Sequence, residues 1–311
     1  MKMFHFRGSH PNFGDELNLW LWPKLIGGLL NDDAAVLFLG IGSILYDNLD
    51  PAALKVVFGA GFGGYTPPPR LDQRWYVYFV RGPRTARLLG LDLALGLGDA
   101  GTLIRAAMPP PGAKRYRMAF IPHYESMIYG AWPEVAAQAG LHLIDPRWPV
   151  ETVLDHMLAS EVLLCEAMHG AIIADALRIP WIAVQPIMRD NRAKWHDWAD
   201  TLALTLRPAE LPPSTWLEWA RQRVEGSREH LRRLSCHGLK LQGYLNGLWI
   251  QHAARALAAA ACQEPQLSTD AAIERVTEAM VDRLQALRVG RHLDRLRVPD
   301  EGVTRRHMAV A

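Results

Sequence analysis

Short apolar runs recur along the first part of the chain, and each ends at glycine or at a polar turn. Four of them are predicted to be strands, namely MKMFHFRG (1–8), AVLFLGIGS (35–43), KVVFGAGFGG (55–64) and YVYFVRGP (76–83). A helix is predicted from about Glu16 to Leu25. Continuous apolar strands that alternate with helices are typical of a parallel sheet covered on both faces.

A second alternating set follows MPPPGAK (108–114), whose prolines and glycine make it the best candidate for a domain linker. Strands are predicted at 117–123, 141–146, 161–165 and 181–184, and helices at 132–139, 150–159 and 171–177. The predicted fold is therefore α/β, with two Rossmann-like doubly wound domains, 1–110 and 114–212, that face each other across a cleft.

From residue 213 onward the pattern is helical, which predicts a helical extension over 213–290 with a helix at about 269–288. The last segment, 291–311, is polar and rich in arginine, a composition that favours disorder. Within the extension, SREHLRRLSCHGLK (227–240) is basic and amphipathic. Such a segment is more often a solvated helix face, and the alternative is contact with an anionic membrane surface.

Composition and charge exclude several classes of protein. The 311 residues carry a formal net charge of +2, which gives no general case for a nucleic-acid partner. The three cysteines are far apart and form no disulfide framework, and the sequence shows neither a signal peptide nor an apolar run of about 18 residues. We therefore expect a cytoplasmic protein, and the basic segment raises the possibility of contact with the inner face of the membrane.

Candidate chemistry concentrates at the predicted ends of strands. In CEAMHGAIIADAL, Glu166, His169 and Gly170 lie between a strand and a helix, and in IPHYES His123 ends another strand. Ligands bind at the carboxyl ends of strands in open parallel sheets. A histidine there can act as an acid or bind an anion. The alternative, which is stronger for His123, is a core histidine with satisfied hydrogen bonds.

The segment PNFGDELN places Asn12, Gly14 and Asp15 where a strand has ended and a helix begins. Unpaired amides at a helix start favour an anion, and the carboxylate of Asp15 would stand at the edge of the cleft. The alternative is that Asp15 only caps its own helix.

Basic side chains follow two further strands. RGPRT gives Arg81 and Arg84, and MRDNRAKW gives Arg189 and Lys194, all suited to holding phosphate or carboxylate. The alternatives are surface ion pairs for the first segment and a solvated helix start for the second. GLGDAG adds Asp99 on a flexible turn and is not a dinucleotide fingerprint. Histidines and cysteines are scattered without an HExxH motif, so no metal is expected.

Together these motifs resemble the polysaccharide pyruvyl transferase family, most of all its bacterial exopolysaccharide ketal-pyruvate transferases of the succinoglycan and xanthan type. The matching pieces are NFGDELN, RGPRT followed by GLGDAG, the HG of EAMHGAIIADAL and the strand IPWIAV, in the family's order over about residues 8–200. Many members read Arg-Leu-His-Gly where Ala167 and Met168 precede His169 here. Arg81 or Arg189 is nominated to replace the missing arginine.

The resemblance implies a fold similar to glycosyltransferase type B and a reaction that needs no cofactor. The donor would be phosphoenolpyruvate, which is a co-substrate. The acceptor would be a hexose of an exopolysaccharide or of a lipid-linked oligosaccharide at the cytoplasmic face of the membrane. The product would be a cyclic pyruvate ketal, usually across O4 and O6 of the sugar, with release of phosphate.

For that reaction the candidate residues divide into three sets. The catalytic set is His169 as acid or phosphate ligand, Asp15 as base for the sugar hydroxyl, and Glu166 as the second candidate base. The donor-binding set is Arg81, Arg84, His123, Gly170, Arg189 and Lys194. The acceptor-binding set is Asn12, Gly14 and Asp99.

Two other classes stay open from the sequence alone. A nucleotide-sugar glycosyltransferase has the same two-domain fold, and the leaving group, nucleotide or phosphate, separates it from a pyruvyl transferase. A non-catalytic carbohydrate-binding protein would keep the aromatic residues, which include 11 tryptophans. It would not need Asp15 and His169 within reach of one ligand.

Overall fold

The computed structural model describes residues 1–108, 113–186, 192–223 and 239–290, and it contains two parallel four-stranded β-sheets flanked by helices. The strands are β1 (Lys2–Phe4), β2 (Val36–Leu39), β3 (Leu54–Phe58), β4 (Trp75–Phe79), β5 (Tyr116–Ile121), β6 (His142–Leu143), β7 (Ser160–Cys165) and β8 (Trp181–Ala183). The helices are α1 (Phe13–Ile26), α2 (Pro83–Leu88), α3 (Tyr124–Tyr129), α4 (Trp132–Ala139), α5 (Val150–Leu158), α6 (Met168–Ala176), α7 (Ala193–Ala199), α8 (Trp216–Arg223), α9 (Leu239–Ala260) and α10 (Asp270–Arg288). The predicted α/β class is confirmed.

The first sheet has the strand order β1-β2-β3-β4, and neighbouring strands run parallel throughout. Helix α1 connects β1 to β2, but the connections 40–53 and 59–74 contain no α-helix. The prediction of a doubly wound first half is wrong for these two connections. Glycine, proline and aspartate interrupt both segments, so a helical apolar period is not sustained in either.

The second sheet has the order β6-β5-β7-β8, again with parallel neighbours, and an α-helix lies in every connection. The chain goes from β5 to β6 on one side and then returns to place β7 on the other side. The strand order therefore reverses at β5. In open α/β sheets, the crevice outside the carboxyl ends of strands at such a switch point is where ligands bind.

One apolar core joins the two sheets. Helix α1 buries Leu17 and Trp22 completely, and Trp22 packs edge-on against Phe38 of the first sheet. The same cluster of buried side chains includes Ile121 and Ile173 of the second half. Burial of each such side chain contributes about 1.5–3 kcal/mol relative to exposure. This shared core fixes the start of α1 against the second sheet.

The C-terminal helices pack back onto both halves. Helix α9 packs on α4, and α10 packs on the 3-10 helix Ala100–Ala106. The hydroxyl of Thr269 caps α10 by accepting the N–H of Ala272 at 3.2 Å, close to the predicted helix start. At the other end, Arg288 donates to the carbonyl of Leu25 at 2.9 Å. Helix α10 therefore ties the extension to the first half.

Several predictions fall on residues outside the described ranges. These are the central linker residues 109–112, most of the basic segment 227–240, and the tail 291–311. They stay predictions, as do the domain boundaries. In the part of the chain that the structure describes, no helix is both long and apolar enough to span a membrane.

Candidate functional site

Segments from both halves of the chain meet at His169. Its imidazole, in the first turn of α6, lies directly against Gly14 in the first turn of α1. Its Nε2 lies 3.6 Å from Oδ2 of Asp99, the residue that precedes the 3-10 helix Ala100–Ala106. The structure therefore brings together three motifs that are far apart in the sequence.

Two helix N-termini are adjacent here. Asn12 precedes α1 and Ala167 precedes α6, and neither residue forms a side-chain cap. First-turn N–H groups without a cap can bind a ligand, but in α1 the N–H of Phe13 already donates to the carbonyl of Pro146 at 2.7 Å and that of Asp15 to the carbonyl of Asn12 at 2.9 Å. Each helix dipole adds partial positive charge. The arrangement favours binding of an anion beside His169.

Gly14 leaves the space that the imidazole occupies. A methyl group at this position would overlap the ring and would come within 2.6 Å of Cγ of His169. Glycine is needed here for close approach of α1 to α6 and not for an unusual backbone angle. Gly14 was predicted to bind the acceptor, and the contact that the structure shows is with His169.

Asp99 and His169 form a buried pair. Oδ2 of Asp99 and Nε2 of His169 are both shielded from solvent, and neither has another hydrogen-bond partner among the described residues. Oδ1 of Asp99 accepts the N–H of Gly101 at 2.9 Å. Burial alone would raise the pKa of Asp99, but His169, the Gly101 N–H and Arg81 outweigh it, and the pKa lies below its ordinary value. Asp99 is therefore a carboxylate at neutral pH.

Asp15 lies next to Gly14, and its Oδ2 accepts an N–H of Asn12 at 2.7 Å. Burial raises the pKa of Asp15 above its ordinary value, although Asn12, His169 and Lys194 act in the opposite direction. Asn12 and not Asp15 stands at the N-cap position of α1, so the capping alternative for Asp15 is not observed. The structure places a carboxylate of increased basicity beside His169.

Lys194, in the first turn of α7, belongs to the same cluster. Burial and the charge of Arg81 lower the pKa of Lys194 to about 8, while Asp15, Glu125 and Asp99 limit the fall. A group with this pKa is mostly protonated at neutral pH. Lys194 therefore supplies positive charge to the same surroundings as the two helix N-termini.

Glu166 bridges the switch point of the second sheet. It is 1% exposed, and its carboxylate accepts the N–H of His123 and the hydroxyl of Ser126, each at 2.8 Å. These bonds join the turn after β7 to the turn after β5. Because the carboxylate is buried and accepts a bond on each oxygen, the structure gives Glu166 a role in holding these two turns together.

His123 is buried at the same turn. Burial lowers its pKa well below the ordinary value, and the charges of Lys194 and His169 act in the same direction. The ring is therefore neutral near pH 7. The ring can donate one hydrogen bond to a bound substrate, but it supplies no positive charge.

Arg81 connects three segments and is 1% exposed. Its Nε donates to Asp197 at 3.2 Å, its Nη1 to the Ser43 hydroxyl at 2.7 Å, and its Nη2 to the Phe62 carbonyl at 2.7 Å. A side chain at Gly61 would overlap the guanidinium. Arg81 therefore holds α7, which carries Lys194, against the loops of the first sheet.

The other predicted donor-binding residues are Arg84, Gly170 and Arg189. The guanidinium of Arg84 is half exposed and pairs with Asp200 at 2.8 Å, which matches the surface ion-pair alternative. Gly170 lets α6 approach β5, since a methyl group there would lie 2.7 Å from Cγ2 of Ile121. Arg189 lies outside the described residues.

Sequence reasoning missed Asp197. Its buried carboxylate accepts from Arg81, from the N–H groups of Arg84 and Thr85, and from the hydroxyl of Thr85. It thereby caps the start of α2 from another part of the chain. An aspartate in a charged helical segment is usually solvated, so the local pattern gave no signal of this role.

Comparison with curated proteins finds a relative for most of the chain. The succinoglycan biosynthesis protein ExoV of Rhizobium meliloti (strain 1021) is 41% identical over 221 residues, which are 70% of this chain and 70% of the relative. This chain belongs to the polysaccharide pyruvyl transferase family. No family model and no solved structure matches it.

The structure shows how this member of the pyruvyl transferase family accommodates its altered histidine motif. Ala167 and Met168, the two residues before His169, are buried in the apolar core. Among the described residues, two basic side chains act on this cluster. The charge of Arg81 lowers the pKa of Asp99, and the charge of Lys194 opposes the rise in the pKa of Asp15. Within those residues, no group of three or more histidine, cysteine, aspartate or glutamate side chains suits a metal ion.

Proposed function

We propose that the protein transfers pyruvate from phosphoenolpyruvate to a hexose of an exopolysaccharide or lipid-linked oligosaccharide, with formation of a cyclic ketal and release of phosphate. The observation that carries the proposal is the cluster around His169. An imidazole paired with a carboxylate, a second carboxylate of increased basicity, and a lysine come together beside two uncapped helix N-termini. The family membership and the similarity to a succinoglycan biosynthesis protein support the same conclusion.

The donor is proposed to bind between the starts of α1 and α6. Phosphoenolpyruvate carries a phosphate and a carboxylate, and the two helix N-termini together with Lys194 are complementary to such anions. His123 is close enough for its pKa to respond to Lys194 and His169, so its neutral ring is proposed as a further hydrogen-bond donor.

The reaction begins with protonation of the methylene carbon of phosphoenolpyruvate, which leaves a cation at C2. One sugar hydroxyl adds to C2 and loses its proton. The C2–O bond to phosphate then breaks, and the second hydroxyl adds to C2 and closes the ketal. Two protons leave the sugar in total. One of them balances the proton added to the methylene carbon, and the other leaves with phosphate.

His169 is proposed as the acid and Asp15 as the base. Asp99 faces Nε2, which leaves Nδ1, the nitrogen on the side of Gly14, as the one proposed to reach a substrate. This is the reverse of the hydrolase triad, in which the aspartate pairs with Nδ1. Burial makes Asp15 more basic and hence better suited to accept a hydroxyl proton. In this scheme Asp99 is a positioning residue and not part of the acceptor site.

The architecture is proposed to consist of two Rossmann-like domains that face a cleft, as in glycosyltransferase type B. The supporting observation is that loops at the carboxyl ends of strands in both sheets contribute to one cluster. The protein would act in the cytoplasm, at the inner face of the membrane, where a lipid-linked acceptor is accessible. Small-angle scattering with and without phosphoenolpyruvate tests for closure of such a cleft.

The decisive experiment incubates the purified protein with phosphoenolpyruvate and a panel of lipid-linked and synthetic oligosaccharides. The expected result is one phosphate released per pyruvate gained, with a sugar mass increased by pyruvic acid minus water. His169→Ala should abolish both readouts while the protein stays folded. Release of a nucleotide from sugar nucleotides, with phosphoenolpyruvate left unchanged, would favour the glycosyltransferase alternative. Sugar binding without any turnover would favour a binding protein.

A further inference from the structure

A cavity of about 280 Å³ lies between the segment that follows β1 and the first turns of α1. Asn12 and Asp15 form part of its wall. The cavity therefore opens beside Asp15, the proposed catalytic base. All the residues that line it belong to the first half of the chain. Its volume is at the small end of the range for ligand sites, which suits one sugar ring better than a long chain.

The wall offers hydrogen-bonding groups suited to hydroxyls. His5, which lines the cavity, is only 9% exposed, and its buried Nδ1 has no hydrogen-bond partner within the described residues. Ser9 contributes a hydroxyl that pairs with Nδ1 of His10 at 3.0 Å. Buried polar atoms in native proteins are normally paired. Because Nδ1 of His5 is shielded from solvent, the polar groups of this wall that can meet ligand hydroxyls are those of Ser9, His10 and Asn12.

Phe6 gives the cavity an aromatic surface. The ring rests over Gly8, where an added methyl group would lie 3.1 Å from Cε1, and yet the residue is 43% exposed. Aromatic and polar groups around one small cavity are typical of ligand sites with fixed orientation. The apolar face of a pyranose ring fits such a surface, while its hydroxyls reach the polar wall.

The charge of the cavity separates it from the donor site. Asp15 and Glu16 line it together with one cation, Arg7, and the excess of negative charge disfavours a second anion next to the one proposed at His169. A neutral polyol has no such conflict, because carboxylates accept hydrogen bonds from hydroxyls.

We propose that this cavity binds the terminal hexose of the acceptor, with the sugar ring against Phe6 and the reacting hydroxyls at Asp15. The inference rests on the proposed pyruvyl transfer for the identity of the sugar as acceptor. The cavity itself is tested by binding of a sugar, which does not require turnover.

The experiment compares Phe6→Ala, Phe6→Tyr and the control Leu93→Ala. Leu93 is similarly exposed, at 48%, and does not line the cavity. We expect Phe6→Ala to raise the KM for the oligosaccharide acceptor about tenfold, which corresponds to about 1.4 kcal/mol. The Kd for phosphoenolpyruvate should stay unchanged. Phe6→Tyr keeps the ring and should restore the KM, and Leu93→Ala should match the wild type.

Saturation-transfer NMR with methyl glucoside and methyl galactoside provides the readout without turnover. Sugar signals that appear with the wild type and are lost with Phe6→Ala would support sugar binding in the cavity. This holds even if phosphoenolpyruvate releases no phosphate with any acceptor and the proposed reaction fails. Absence of signal in the wild type would overturn the inference. It would also be overturned if Phe6→Ala left both the acceptor KM and sugar binding unchanged, or if it weakened only the binding of phosphoenolpyruvate.

Discussion

The pairing of Asp99 with His169 predicts a large effect of a one-atom change. Asp99→Asn replaces the carboxylate with a neutral amide and keeps an oxygen that can still accept the N–H of Gly101. The two side chains are 3.6 Å apart, and Asp99 is fully buried. At such a distance, two unit charges interact by about 4 kcal/mol at an effective dielectric constant of 20. This is the upper limit of the support that Asp99 gives to a protonated His169.

A loss of this size corresponds to a fall of kcat by up to about a thousandfold, since about 1.4 kcal/mol is a factor of ten. The KM for phosphoenolpyruvate should change by less than about threefold, because Asp99 orients the acid and does not hold the donor. Phosphate release under saturating substrates, measured across pH, provides these values.

Asp92→Asn is the matched control. Asp92 also caps a short 3-10 helix through its side chain, but it is exposed, and its side chain accepts the N–H of Ala94 and makes no contact with His169. Asp92→Asn should keep the melting temperature of the wild type, whereas Asp99→Asn removes a buried charge partner and should lower it, so kcat is compared at a temperature at which both variants are folded. If Asp99→Asn retained kcat within about threefold, or lost activity only together with stability, the pairing would have no role in proton transfer.

Three further changes probe the parts around this pair. Gly14→Ala should displace the imidazole and lower kcat by about a hundredfold. Gly27→Ala, at the end of the same helix with open space around its Cβ position, should not. Because Lys194 has a pKa of about 8, kcat/KM for phosphoenolpyruvate should fall as pH rises through about 8, and Lys194→Arg should shift this fall upward. Asp197→Asn should cost about 3–5 kcal/mol in chemical denaturation, since it breaks a buried ion pair. Asp200→Asn, in an exposed pair, should cost at most about 1 kcal/mol.

Sequence periodicity predicted the second sheet well because each of its strands and helices is locally consistent. The helix predicted at 132–139 has those bounds in the structure, and the one at 269–288 differs by one residue at its start. The first sheet was harder, because its parallel strands are joined by irregular loops and not by helices. Those loops are held by long-range contacts such as Arg81 to Ser43 and Phe62, which no local pattern encodes.

The candidate site shows the same division. The rule that ligands bind at strand ends led directly to His169 and Asp15, since both positions follow from where strands stop. The partner of His169 did not follow, because Asp99 is brought to it only when the 3-10 helix that begins after Asp99 packs on α6. Glu166 had a strand-end position that suggested chemistry, but its two donors come from the turn after β5.

The placement of His169 also explains why the two halves have to be packed together for the site to form. The imidazole that is proposed as the acid comes from α6, the space that it occupies comes from Gly14 of α1, and its carboxylate partner comes from the segment after β4. Arg81 and Asp197 connect the first sheet to α7, on which Lys194 is carried. A change that loosens the packing of the two halves would therefore displace His169, Asp15 and Lys194 at once. Such a change should lower kcat and donor affinity together, whereas Asp99→Asn should lower kcat alone.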